Sequence, residues 1–122
     1  MRLRALRGAT TVEVNDAEAI LGATEELLRE LIRRNELAQE DMVSCLFTCT
    51  DDLNAEFPAV AARRLGLGSV PLLCSREIDV PGSLPRVIRI LMHYYAQDDG
   101  HEPRHVYLGE ASDLRLDLEG AQ

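Results

Sequence analysis

The 122-residue chain contains no lysine, and all 13 of its basic residues are arginine. That absence removes whole chemistries. Without a side-chain amine there is no Schiff base, so neither lysine-anchored pyridoxal phosphate nor a lysine-type aldolase is possible. A Gly-Lys-Ser/Thr phosphate loop is impossible as well. No apolar run approaches the ~18 residues that a membrane span requires. The opening Met1-Arg2-Leu3-Arg4-Ala5-Leu6-Arg7 has no apolar stretch behind its charges, so a secretory signal is not expected. Cysteine is scarce: Cys45, Cys49 and Cys74 form no paired framework. An odd count without a leader reads as reduced thiols in a cytoplasm. Cys45 and Cys49, four apart in an apolar run, read as small buried hydrophobes. Zinc takes about four ligands at closer spacings than these thiols and His93, His101 and His105 offer, so no metal is expected.

Positive charge is in deficit. Asp plus Glu is 21 against 13 arginines, a net charge of −8. Such a chain lacks the basic footprint of a nucleic-acid binder. Nucleophile motifs are missing too. No Gly-x-Ser-x-Gly elbow occurs. Gly66-Leu67-Gly68 lacks the third glycine of a dinucleotide fingerprint. A Cys–His pair could be drawn from Cys74 and His105, but spacing alone does not separate it from a buried thiol and a surface imidazole.

What is present is foldable. Hydrophobic residues are 46% of the chain, too many for a disordered segment. There is no repeat or linker, so residues 1–122 read as one domain. Residues 2–14 read as a strand with a bend or bulge at Gly8. Residues 15–34 give the clearest helix. Asn15 and Glu18 resemble a capping box, Ile20, Leu21, Leu27, Leu28, Leu31 and Ile32 form one stripe, and Asn35 can stop it. Residues 42–49 are a strand by composition and 50–54 a turn. Residues 57–65 read as a short helix with Pro58 in its first turn, and 69–74 as an apolar strand. Pro81, Gly82, Ser83 and Pro85 make 78–85 a loop. Residues 87–95 read as a strand, with helix as the alternative, and 106–108 as a last short strand. These elements predict an α/β (α+β mixed) sheet covered by helices on one side, with the other face left for oligomerisation.

Arginines stand in unusual places. Arg7 precedes a glycine, Arg63 lies on the short helix, Arg89 interrupts Val87-Ile88-Arg89-Ile90-Leu91, and Arg115 lies between leucines near the tail. Inside an apolar strand an arginine is costly unless it meets a carboxylate or opens on a polar cavity. Each alone reads as a surface snorkel or an ion pair; together they point to a pocket for an anionic ligand.

The order of short motifs resembles a known family. Arg4-x-x-Arg7-Gly8-Ala9-Thr10-Thr11-Val12 opens the chain. Phe57-Pro58-Ala59 with Arg63 follows, then Val70-Pro71-x-x-Cys74-x-x-Glu77, Ile88-Arg89, Arg104-His105-Val106-Tyr107-Leu108 and Leu114-Arg115-x-Asp117-Leu118. This series is similar to the monofunctional, Bacillus-type (AroH) chorismate mutases over essentially the whole chain. The resemblance implies a homotrimeric pseudo-α/β-barrel with active sites between subunits, and a cofactor-free Claisen rearrangement of chorismate to prephenate. It implies that Arg7 and Tyr107 hold a substrate carboxylate and that Arg89 faces the ether oxygen. Glu77 and Cys74 would meet the ring hydroxyl. Phe57, Ala59, Leu72, Leu73 and Leu114 would line the pocket, with Arg63 and Arg115 at its mouth. Three positions depart from the family pattern: Val60 stands where a rim lysine can occur, Leu73 where a threonine can, and Leu116 where a proline can. A small trimeric deaminase of the Rid type and a non-catalytic anion-binding trimer are the competing readings.

Overall fold

A computed structural model describes residues 1–97 and 102–113 and shows, among them, a five-stranded mixed sheet with helices on one face. In chain order the elements are β1 (Arg2–Thr11), α1 (Ala17–Asn35), β2 (Met42–Cys49), α2 (Ala59–Arg64), β3 (Leu72–Arg76), β4 (Val87–Ala96) and β5 (Val106–Tyr107). The strand order is β3-β2-β4-β1-β5. Strand β4 is antiparallel to both β1 and β2, while β3 runs parallel to β2 and β5 parallel to β1. The 87–95 segment is therefore a strand, and a central one. No helix among the described residues is long and apolar enough to cross a membrane.

Periodicity explains the layering. Along α1 the buried residues are Ile20, Leu21, Thr24, Leu27, Leu28 and Leu31, one stripe of a 3.6-residue helix. Alternate sheet residues meet it: Leu6 on β1, Phe47 on β2, Ile90 and Met92 on β4, all essentially inaccessible. Each such side chain contributes about 1.5–3 kcal/mol of burial. Helix α2 adds Ala59, Ala61 and Ala62 to the same core.

Local chemistry moves four expected features. The N-cap of α1 is Asp16, whose carboxylate accepts the Ala19 N–H at 3.2 Å, and not Asn15. Asn15 is used elsewhere: its Oδ1 accepts the N–H groups of Asn54 at 3.0 Å and Ala55 at 3.1 Å, pinning the segment before Phe57. The helix stops at Glu36, which is left-handed at φ 51°, ψ 47°, while Asn35 stays helical with its side chain buried. The third feature is Gly8, where no bulge forms. Strand β1 pairs with β4 residue for residue from Arg2 to Thr11. The glycine serves a close approach: a Cβ there would lie 2.9 Å from Leu31 Cδ1 and 3.2 Å from Leu27 Cδ1. The 69–74 strand begins later than expected, at Leu72, because the carbonyl of Pro71 first takes the Cys45 N–H at 2.9 Å.

Gly8 gives a first prediction. Gly8→Val overpacks the α1–β1 contact and is expected to lower unfolding stability by about 1–3 kcal/mol, with Gly8→Ala milder. The urea midpoint checks this; a midpoint unchanged in Gly8→Val would show that the leucines yield freely.

Candidate active site

The site is legible from the register. Residues paired across strands share a face, so Tyr107, Ala9, Arg89, Thr48 and Ser75 form one row across all five strands. Arg7, Leu91, Leu46 and Leu73 form the row beside it. Both rows lie on the face away from α1, because their neighbours Leu6, Ile88, Ile90 and Phe47 fill the core.

Arg89 is therefore not buried within one chain. Alternation sends Ile88 and Ile90 inward and Arg89 to the open face, where its side chain is 45% exposed. The desolvation cost expected from its apolar flanks does not arise in a single subunit. Its Nε lies 3.8 Å from Glu77 Oε2, an ion pair too long for a hydrogen bond. Glu77 is held more firmly. Its N–H donates to the Cys49 carbonyl at 2.9 Å, and the Thr48 hydroxyl donates to its Oε2. Sequence reasoning missed Thr48. The signal was its place two residues after Leu46 on the alternating outer face of β2.

Arg7 and Arg89 are diagonal neighbours on adjacent strands, about 7–8 Å apart at the backbone, so both guanidinium groups can reach one ligand. Tyr107 follows on β5, across the small Ala9. The Arg7 guanidinium is exposed and has no ion-pair partner among the described residues, and the same holds for Arg63. Other arginines are engaged: Arg33 and Arg34 with Glu30, Arg64 with Glu18, Arg76 with Asp51, Arg86 with the Val12 carbonyl. Arg2 is likewise without a partner among the described residues; of the arginines the anion-pocket reading singles out, Arg7 and Arg63 are unengaged and Arg89 has only its long contact with Glu77.

The remaining residues sit at the β3–α2 edge. Cys74 pairs with Phe47 and so faces the helix side, where it lines a cavity of about 490 Å³ with Cys49, Leu53, Phe57, Pro58 and Arg76. Phe57 is 67% exposed there, Leu73 is exposed, Leu72 is half-buried, and Arg63 is exposed in the last turn of α2. Ala59 is buried in the core, so its side chain supports this edge from behind. A second cavity of about 430 Å³ joins Glu77 to Asp51, Asp52 and the 78–85 loop, and is acidic. Neither cavity joins Arg7 and Arg89 to Phe57. Arg7 and Leu73 lie in one row but three strand spacings apart, about 14 Å. Cys74 and His105 lie towards opposite edges of the sheet and do not pair within the chain. Leu114 and Arg115 lie outside the described residues.

The thiols beneath are inert. Burial first, then the neighbouring Cys74, pushes Cys45 up to about 12, and burial above all pushes Cys49 up to about 11.

Comparison with known proteins identifies the family and the fold. Residues 3–118 match the family model described as chorismate mutase type I. Chorismate mutase AroH of Thermus thermophilus is 50% identical over 121 residues, covering 98% of this chain and 99% of that one. Chorismate mutase AroH of Bacillus subtilis is 44% identical over 119 residues, covering 97% and 94%. A solved chorismate mutase from Clostridium thermocellum superposes with a TM-score of 0.87 at 47% identity, covering 90% of this chain and 98% of that one. These matches overturn the Rid-type deaminase reading. The chain belongs to the type I chorismate mutase family.

Proposed function

We propose that this chain rearranges chorismate to prephenate at sites shared between neighbouring copies of a homotrimer, in the cytoplasm. One observation carries the composite site. The cationic row of Arg7 and Arg89, with Tyr107, lies open on the sheet and Glu77 reaches Arg89 from just beyond β3, while the wall residues Phe57, Leu72, Leu73 and Cys74 lie along the β3–α2 edge, away from Arg7. A second copy, bringing its β3–α2 edge over the first copy's open face, closes the pocket. The face suits such contact, since Leu3, Leu73, Leu91 and Tyr95 are 54%, 60%, 40% and 42% exposed on it. Leu114 and Arg115 join the wall and the mouth in this reading, and Arg63 adds its charge at the mouth.

The chemistry follows from the charges. A Claisen rearrangement moves no proton to or from the protein. It needs the flexible substrate held compact with its reacting carbons together. Arg7 and Tyr107 hold one carboxylate, and Glu77, fixed by Thr48, accepts from the ring hydroxyl beside Cys74. Arg89 faces the ether oxygen, where negative charge grows as the C–O bond breaks, and stabilises the transition state more than the substrate. The 3.8 Å separation of Arg89 from Glu77 matters here: a guanidinium without a short partner exchanges little when the oxygen arrives.

Light scattering combined with an absorbance assay of chorismate tests the reading. The expected species is an active trimer whose rate is unaffected by a chelator; an active monomer contradicts the shared site. Turnover should also be insensitive to pH. Arginine stays charged throughout, and partial burial, then the Arg7 charge, lower the His105 imidazole from its usual range. A plot of kcat should be flat from about pH 6.5 to 9. A bell centred near neutrality would implicate His105 or Cys74 as an acid or base.

A further inference from the structure

We infer that His105 is a positioning residue for Arg7: its Nδ1 replaces a main-chain acceptor in the β1–β5 ladder and so sets where the Arg7 side chain starts. The inference rests on the proposed role of Arg7 as a carboxylate clamp.

The ladder shows why an imidazole is needed. Strand β5 has only two residues, Val106 and Tyr107, paired with Gly8 and Ala9. The Leu108 N–H donates to the Ala9 carbonyl at 2.9 Å, which fixes the parallel register. In that register the Arg104 carbonyl is the acceptor due for the Arg7 N–H. It is diverted. Asn35 Nδ2, at the end of α1, donates to the Arg104 carbonyl at 2.9 Å, and Asn35 Oδ1 accepts the Arg104 N–H at 2.8 Å. The same amide nitrogen donates to the Leu31 carbonyl at 2.9 Å, and Asn35 is only 5% exposed. Segment 104–105 is thus tied to the helix rather than to the strand. The Arg7 N–H finds its partner in His105 Nδ1, at 2.9 Å.

Downstream the segment is already fixed. Gly109 has φ 58°, a Cβ there would lie 2.6 Å from Thr11 Oγ1, and the Glu110 N–H donates to that hydroxyl at 3.1 Å. Upstream, the Arg4–Glu102 ion pair at 3.7 Å also joins the segment to β1, and the imidazole is the group that meets the Arg7 N–H itself. An Nδ1 that accepts makes Nε2 the protonated nitrogen. Burial, and secondarily the Arg7 charge, favour that neutral ring, because a second proton would place a cation beside Arg7. The histidine just before β5 thereby orients a cation and moves no proton.

The test is a double-mutant cycle in the full-length enzyme. Arg7→Ala is expected to raise KM at least about tenfold. His105→Phe keeps a ring but no acceptor, and is expected to lower kcat/KM about tenfold. His105→Asn, which offers an acceptor oxygen near the same place, is expected to recover to within about threefold of the parent. Adding His105→Phe to Arg7→Ala should cost no more than about twofold. An equal loss in both backgrounds, or no loss in the parent background, overturns the inference while the clamp stands. An Arg7→Ala variant with parent kinetics overturns the clamp itself. Should His105→Phe fail to fold, the nitrogen NMR of histidine in the parent decides: a bare Nδ1 with protonated Nε2 at pH 8 supports the inference, and a protonated Nδ1 overturns it.

Discussion

Arg89→Ala is expected to fold, to assemble and to lose about 10²–10³ in kcat, the loss of one preorganised donor worth ~3–4 kcal/mol. Folding should survive because the side chain is half exposed on the open face and forms no short contact. The effect should appear in kcat, with KM changing less, since charge reaches the ether oxygen only as the bond breaks. Covering the site by a second copy lowers the local dielectric and strengthens the interaction, so the true loss can exceed that range. Arg89→Lys should rescue little, because a point charge on a flexible stem cannot reproduce the planar fork. Citrulline at position 89 separates charge from shape: it keeps the fork, and it should behave like the alanine variant. Well-folded Arg89→Ala with kcat within about threefold of the parent would remove Arg89 from the chemistry.

The second large effect comes from the other end of the sheet. Phe57→Asp is expected to abolish measurable turnover, with a loss above about 10²-fold, although Phe57 shares no cavity with Arg7 or Arg89 in its own chain. A carboxylate set into the wall of a pocket for a dianion repels substrate and leaves a buried charge unpaired. Folding of the subunit should barely change, since Phe57 is two-thirds exposed within it. Thermal unfolding of the variant beside the rate assay checks both halves. A Phe57→Asp enzyme that keeps most of its turnover would place the wall elsewhere.

Much of this was legible in the sequence, for reasons that can be named. The α1 stripe and the β2 run declared themselves because their periodicity is local. Arg7, Arg63 and Arg89 stood out because cations among apolar residues or beside a glycine demand a partner. What stayed hidden depends on contacts far apart in the chain. Gly8 reads as a bulge until Leu27 and Leu31 are seen against it, 19 and more positions later. Asn35 reads as a helix stop, yet its amide reaches Arg104 across 69 positions. Alternation puts Thr48 on the outer face of β2, but its bond to Glu77 spans 29 positions and that of His105 to Arg7 spans 98, so neither partner is visible locally. The apolar flanks of Arg89 suggest burial, whereas alternation leaves it on an open face, which a second copy covers in the proposed trimer.

Mixing subunits tests directly whether the site is shared between copies. Arg89→Ala and Phe57→Asp each disable a different half of the site, and each alone should be inactive. Dissociated, mixed in equal amounts and reassembled as trimers, they should regain about a quarter of the parent activity, because one interface in four joins an intact open face to an intact wall. Recovery on that scale is the expected result. A mixture as inactive as its two components, with mixed trimers demonstrated by mass, would contradict a site shared between subunits.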